Sequence, residues 1–180
     1  FFTYLIVLAG GFVRMTGSGM GCPDWPKCFG LLVPPVSENE ITWSVGQEYS
    51  SSQMLIHNDT LWIAKKKFTS TSSFDKDNWK LFEKHSYAKF NVFHTWAEYI
   101  NRCIGAIAGL FVIALFFYSS FNKLISYQTF GSLILLILFG VQAWIGGEVV
   151  FSVLDPFKIT IHMFVALIIV SILFVLIHMA

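Results

Sequence analysis

The chain has 180 residues, of which 55% are hydrophobic and only 13% charged, with a mean hydropathy of +0.63. That balance lies outside the usual soluble range and argues for several membrane spans. The net charge of +1 leaves no basic footprint, which excludes nucleic acid as a partner and makes the lipid bilayer the surrounding medium.

Four apolar runs predict four spans. The first covers about residues 1–13 and is closed by Arg14. It falls short of the roughly 20 residues a crossing helix needs. With Phe1 in place of Met, a missing N-terminus is the expectation. No basic n-region or A-x-A-like site marks a signal peptide. Residues 14–92 form a long polar connection, with an insertion at about 31–90. Its middle, 37–73, alternates patches such as Ile41-Thr42-Trp43 with polar residues and predicts short strands. Asn58-Asp59-Thr60 is a formal glycosylation sequon, a triplet common by chance. The second span is expected at about 93–118, the third at 128–145 and the fourth at 157–177. A tight turn at 119–127 and a short loop at 146–156 join them. The predicted fold is an all-α membrane protein: a four-transmembrane-helix bundle, one domain over 1–180, with a long extracytoplasmic loop between helices 1 and 2.

Cys22-Pro23-Asp24-Trp25-Pro26-Lys27-Cys28 brings two cysteines close together, with two prolines stiffening the link. They are read either as a disulfide or as two unpaired thiols. A disulfide persists only in an oxidising compartment, and on that reading the long loop lies on the outer, periplasmic side. Zinc needs four ligands, and nothing nearby completes the set. Cys103 reads as a small buried apolar residue.

Glu98-Tyr99-Ile100-Asn101-Arg102 puts three polar groups at the start of the second span. An ionisable group inside a span costs roughly 2.5–3.5 kcal/mol on insertion scales and is a functional candidate by default. The alternative is an i,i+4 pair of Glu98 with Arg102 at the membrane surface, and Asn101 as a helix–helix hydrogen bond. Counting from the outer side, Glu98 lies roughly 8 Å into span two at 1.5 Å per residue, and His162 lies at a matching depth in span four. His162 has three readings: buried and hydrogen-bonded, proton relay or metal ligand. His94 precedes Glu98 by four residues, shares its face, and reads equally well as interfacial. His178 belongs near the opposite surface, and His57 and His85 are expected to be solvated. Gly105 and Gly109 form a small-xxx-small pair, read either as helix packing or as a place of close approach.

Leu8-Ala9-Gly10-Gly11-Phe12-Val13-Arg14-Met15-Thr16-Gly17-Ser18-Gly19, followed by the Cys22 to Cys28 segment, closely resembles the first conserved block of the heme A synthases. Glu98-Tyr99-x-x-Arg102 resembles their second block. Gln142-x-x-x-Gly146-Gly147-x-Val149-Val150-x-Ser152-x-Leu154 resembles the third, and Thr160-x-His162 the fourth. The four blocks occur in order and leave only the insertion outside.

The resemblance implies an eight-span oxidoreductase of the bacterial cytoplasmic (inner) membrane, built from two four-helix halves, that converts the C8 methyl of heme O to the formyl of heme A. This chain is similar to the first half, which binds the substrate heme; a heme b cofactor is expected in the other. By resemblance Glu98 is the catalytic carboxylate, His162 an axial iron ligand, Arg102 and Asn101 part of the heme site, and Cys22 and Cys28 a loop disulfide. Heme O synthase, subunit I of the terminal oxidase and a homo-oligomer are the partners implied. One position departs from the pattern: the family's second block usually reads Glu-x-x-His-Arg, and here Asn101 stands for that histidine. An amide is a poor iron ligand beside imidazole. Ligation by His162 with an open or water-filled second position is the favoured reading. Substitution by His94, about 10 Å along the axis from Asn101, and loss of activity are the alternatives. The alternative function is a non-catalytic heme-binding or heme-transfer membrane protein. A quinone-coupled disulfide oxidoreductase would need a Cys-x-x-Cys site, which the chain lacks.

Overall fold

A computed structural model describes residues 1–83, 90–121 and 126–178. The loop histidine His85 and most of the inner part of the expected 119–127 turn lie outside the described residues. The chain divides into two compact units, one formed by Phe1–Met15, Ile100–Val149 and Leu154–Ala180, the other by Thr16–Tyr99 and Val150–Val153.

The first unit is helical. Its elements are α1 (Phe2–Met15), the larger part of α2 (Val92–Phe121), α3 (Ser126–Phe151) and α4 (Pro156–His178). Inside a bilayer every backbone polar group must be satisfied within its own segment, so long apolar runs without an internal proline become helices whatever their β-branched content. α2, α3 and α4 are each long and apolar enough to cross a membrane, while α1 has 14 residues. At 1.5 Å per residue α1 extends about 21 Å, short of the roughly 30 Å hydrocarbon core. Leu110, Phe130, Leu167 and Phe174 stand more than 60% exposed on helices that have no polar face to give to water. Apolar surface on that scale is stable only against lipid or further protein, and the chain is an integral membrane protein.

Where these helices meet, Val112 of α2, Leu135 of α3 and Ile169 of α4 form a buried cluster. The hydroxyls of Ser119 and Ser132, both buried, share a 2.8 Å hydrogen bond between α2 and α3. Phe2 of α1 stacks on Phe111 of α2 with ring centroids 4.7 Å apart. An added Cβ at Gly105 or Gly109 would meet nothing within 4 Å, so among the described residues no neighbour packs on that pair.

α3 runs further than the sequence indicates. It passes through Gly146 and Gly147 and ends at Phe151, which reduces the expected 146–156 loop to residues 152–155. Glycine costs about 1 kcal/mol in a helix, less than unsatisfied backbone groups cost at membrane depth. The turn itself comes from Val153 and Leu154, both at positive φ (59° and 60°), with the Leu154 N–H donating to the Val149 carbonyl. Asp155 then caps α4, its Oδ1 accepting the N–H groups of Phe157 (2.8 Å) and Lys158 (3.2 Å), and Pro156 takes the first helical position.

The second unit confirms the short strands and narrows the all-α expectation to the membrane helices. β1 (Glu48–Tyr49) pairs with β4 (Phe68–Thr69); β2 (Met54–His57), β3 (Thr60–Ala64) and β5 (Trp79–Leu81) form an antiparallel sheet in the order β2-β3-β5. Alternation along β2 and β3 separates two cores. Met54 and Leu61 pack with Cys22, Cys28, Phe29 and Ile41, while Leu55 and Ala64 pack with Tyr49 and Trp79. The Ile41-Thr42-Trp43 patch is not a strand: Ile41 ends a 3₁₀ turn, and Thr42 makes an isolated bridge to Ile56. His57, expected to be solvated, is half-buried and stacks on Phe74 with centroids 4.1 Å apart. The sequon residues Asn58 and Asp59 form the two-residue turn between β2 and β3, both at positive φ (51° and 55°).

The segment before the disulfide docks on the first turns of α2. The Gly21 carbonyl accepts a 2.9 Å hydrogen bond from the Thr95 hydroxyl, and a Cβ at Gly21 would collide with the backbone of His94 and Thr95. Gly21→Ala is expected to destabilise this unit by about 1–3 kcal/mol, because neither of the opposed backbones can yield as a flexible side chain would. Asp59→Gly is expected to stabilise it by about 0.5–1 kcal/mol, by relieving a left-handed non-glycine residue in the hairpin turn. Urea unfolding of the solubilised protein, followed by tryptophan fluorescence, measures both.

Candidate functional site

Candidate groups gather in two places. In the loop unit the centre is Glu98, whose side chain is one helical turn from that of Thr95 and is 4% exposed. The Cys22 N–H donates to Glu98 Oε2 at 2.8 Å. Thr95 grips the preceding carbonyl, so consecutive backbone groups at Gly21 and Cys22 are tied to consecutive polar side chains on one face of α2. Cys22 and Cys28 form a disulfide with Cα atoms 4.8 Å apart, both fully buried. The Cys22 sulfur, which carries no proton, lies 3.8 Å from the Thr95 carbonyl oxygen as a packing contact.

Asp24 closes the disulfide loop from inside. Its two carboxylate oxygens accept the N–H groups of Phe29 (2.7 Å) and Gly30 (2.9 Å), where the chain turns through positive φ. His94 is held as well: its Nδ1 lies 2.8 Å from the Ser18 hydroxyl, which in turn lies 2.6 Å from the Thr16 hydroxyl. The Trp96 indole N–H donates to the Pro35 carbonyl at 3.2 Å. Thr95 and Gly21 were not singled out from sequence, and Ser18 entered only as part of the first conserved block. Thr95 carried a signal, since a residue three before Glu98 shares its helix face.

In the helical unit the centre is His162 of α4. Gln142 of α3 places its amide nitrogen 3.2 Å from His162 Nε2 and 3.1 Å from the His162 backbone oxygen. Gly146, one turn along α3, faces the same ring: a Cβ there would come within 3.4 Å of His162 Cε1. His162 Nδ1, Gln142 Oε1 and Asn101 Oδ1 are buried polar atoms with no hydrogen-bond partner. Asn101 Oδ1 lies opposite Gly10 of α1, 3.9 Å from the position of an added Cβ. Near the chain's second helix-to-helix turn, Lys158 pairs with Glu148 at 2.9 Å. Arg14 donates to the Met163 thioether at 2.8 Å, next in sequence to His162. Cys103 is a free, half-buried thiol and His178 is exposed.

Among the described residues no three His, Cys, Asp or Glu side chains converge on a metal-ion site. A heme makes a smaller demand on the protein, one or two axial donors and an apolar surround. His162 fits that demand: an imidazole inside an apolar helix, whose buried Nδ1 and the neighbouring Gln142 Oε1 both lack a partner.

The profile of the COX15-CtaA family, described as cytochrome oxidase assembly protein, matches residues 1–69 and 62–180. The chain is similar to the heme A synthase of Ehrlichia canis, with 30% identity over 173 residues, 92% of this chain and 42% of that protein. It is similar to the heme A synthase of Wolbachia pipientis wMel at 26% identity over 173 residues, again 92% of this chain and 42% of the other. A shorter stretch of 41 residues is 42% identical to the heme A synthase of Shewanella oneidensis, 23% of this chain and 12% of that protein. The chain thus spans about 42% of the length of the two relatives it matches nearly end to end. No solved structure matches it. A profile match over essentially every residue, together with the ordered blocks from Arg14 to His162, shows that the chain belongs to the COX15-CtaA, or heme A synthase, family.

Proposed function

We propose that this chain is the substrate-heme half of a heme A synthase-like membrane oxidoreductase, which oxidises the C8 methyl of heme O to the formyl of heme A. The observation that carries the reading is the buried Glu98 carboxylate at the head of α2, held by the Cys22 backbone N–H. In the proposed architecture α1 is the fourth crossing helix of a four-helix bundle over 1–180, and that bundle is one half of an eight-helix protein. The disulfide supports an oxidising, periplasmic side for the loop 31–90 and hence a bacterial inner membrane. Heme O synthase and subunit I of the terminal oxidase are the proposed partners for delivery and receipt, with a homo-oligomer as a further assembly.

Oxidising an unactivated methyl is beyond side-chain chemistry, and a heme b in the other half supplies the redox capacity. The residues of this chain bind and orient. His162 is proposed as the axial ligand of the substrate heme, and Arg102 and Asn101 as contacts to it. Glu98 holds or moves a proton at its carboxylate, or offsets positive charge that develops on the macrocycle. Its anchoring by a backbone donor fixes the carboxylate where a flexible side chain would drift. The second reading is a heme-binding or heme-transfer protein without catalysis. Asn101 favours it, because the family's second histidine is absent at that position.

Glu98→Gln in the full-length protein is expected to abolish conversion of heme O to heme A while heme remains bound. Pigment extraction from host membranes measures both, and normal heme A in the variant would sink the catalytic role. Retained activity with a substituted Glu98 would also leave the carboxylate a purely structural anchor for the Cys22 loop.

His162→Ala is expected to remove most heme from this half and His94→Ala to leave it nearly unchanged, since His94 Nδ1 is already engaged by Ser18. Asn101→His is expected to move the site towards a six-coordinate, bis-histidine spectrum. Heme retained in His162→Ala but lost in His94→Ala would show His94 to be the ligand.

A further inference from the structure

The contact between Gln142 and His162 determines more than proximity. A side-chain amide can point either its nitrogen or its oxygen at a neighbour, and hydrogen-bond partners decide which. Here the decision is made by the His162 backbone carbonyl, 3.1 Å away, which only a donor can approach. The amide nitrogen therefore takes that position, and the same nitrogen lies 3.2 Å from His162 Nε2. Its second N–H is directed at the ring, so Nε2 is the acceptor and presents its lone pair to Gln142. The ring proton is then on Nδ1, one of the buried atoms without a partner. Gln142 Oε1 is another, as the orientation of the amide requires.

Iron needs that same Nε2 lone pair. We propose that Gln142 is a positioning residue that latches His162: its amide holds the imidazole in the ligating rotamer and tautomer, and competes with iron for Nε2. Coordination breaks one N–H···N hydrogen bond and forms one Fe–N bond. No proton leaves the ring, because it already resides on Nδ1. The amide stays tethered to the His162 carbonyl by its other N–H, ready to recapture Nε2 when the iron departs. Gly146 leaves the ring edge uncrowded for this exchange, with His162 Cε1 at 3.4 Å from where a Cβ would stand. A competing amide makes the iron–histidine bond exchangeable, which suits a heme that arrives as substrate and leaves as product. This inference rests on the proposed role of His162 as iron ligand.

Two measurements on the full-length, detergent-solubilised protein test it. The first needs no heme. In histidine labelled with nitrogen-15, the heme-free protein is expected to show His162 as the Nδ1–H tautomer, identified by the resonance missing in His162→Ala. Gln142→Leu is expected to abolish that preference, and an unchanged tautomer overturns the latch. The second follows heme transfer to apomyoglobin, in which the phase lost in His162→Ala belongs to His162. Gln142→Leu is expected to slow that phase several-fold, because nothing recaptures the freed nitrogen. Gln142→Asn, one methylene too short to span both atoms, is expected to act in the same direction and serves if the leucine variant does not fold. Unchanged or faster release overturns the proposal and makes Gln142 ordinary packing. If His162→Ala loses no phase, the assignment of His162 as ligand fails, while the tautomer measurement still decides whether the latch exists.

Discussion

The loop unit depends on the satisfaction of one buried carboxylate. Glu98 sits at the head of an apolar helix with 4% of its surface exposed, where an unpaired charge would be costly. One partner is a backbone N–H, that of Cys22, and a backbone donor is only as well placed as the chain that carries it. The local sequence supplies that placement. Thr95 fixes the carbonyl one residue earlier, the disulfide ties Cys22 to Cys28, and Asp24 folds the intervening residues onto Phe29 and Gly30. Gly21 is required because two backbones approach there with no room for a Cβ. The cysteine pair and the membrane carboxylate, which look like separate features in the sequence, are one hydrogen-bonded object.

That coupling explains what was legible and what was not. The three long helices follow from hydropathy alone, because in lipid the backbone has few other options. Their ends were less legible. Glycines such as Gly146 and Gly147 read as loop in water, yet α3 continues through them and stops only where Val153 and Leu154 turn left-handed. Neither residue type announces such a turn. In the insertion, alternation indicated short strands without placing them, and the Ile41-Thr42-Trp43 patch folds as the end of a 3₁₀ turn and an isolated bridge. Asn58-Asp59 between two apolar runs was a hairpin signal hidden behind a sequon. Ionisable residues in spans singled out Glu98 and His162. Thr95 was passed over and Gln142 entered only through the third conserved block, with no role of its own, since an amide or hydroxyl in a membrane helix has many bland uses.

Two polar contacts between helices of the helical unit differ in kind. Ser119 and Ser132 face each other across α2 and α3, and one hydroxyl donates to the other while the second can donate to a carbonyl of its own helix, so neither is left without a partner. Gln142 with His162 is open: two bonds are made, and two buried polar atoms of the same residues are left without partners. Buried orphans are costly, about 1–3 kcal/mol each, and those at Gln142 and His162 support the proposed role of His162 separately from family resemblance.

The substitution at Asn101 belongs to the same argument. On the proposed reading this half handles a heme that must enter and leave, whereas a resident cofactor must stay. On that reading two imidazoles would hold iron firmly, whereas the single imidazole of His162, with the Gln142 amide competing for its ligating nitrogen, would hold it less firmly. Asn101 Oδ1 and Gln142 Oε1 are both buried acceptors without partners, one on α2 and one on α3. Exchanging histidine for asparagine then weakens axial ligation without emptying the site of polar groups, which matches a transit site better than a storage site. The same logic separates the two functional readings. A transfer protein would need only exchangeable ligation at His162, whereas the proposed oxidising half would also call on the Glu98 carboxylate, which the Cys22 N–H holds in place.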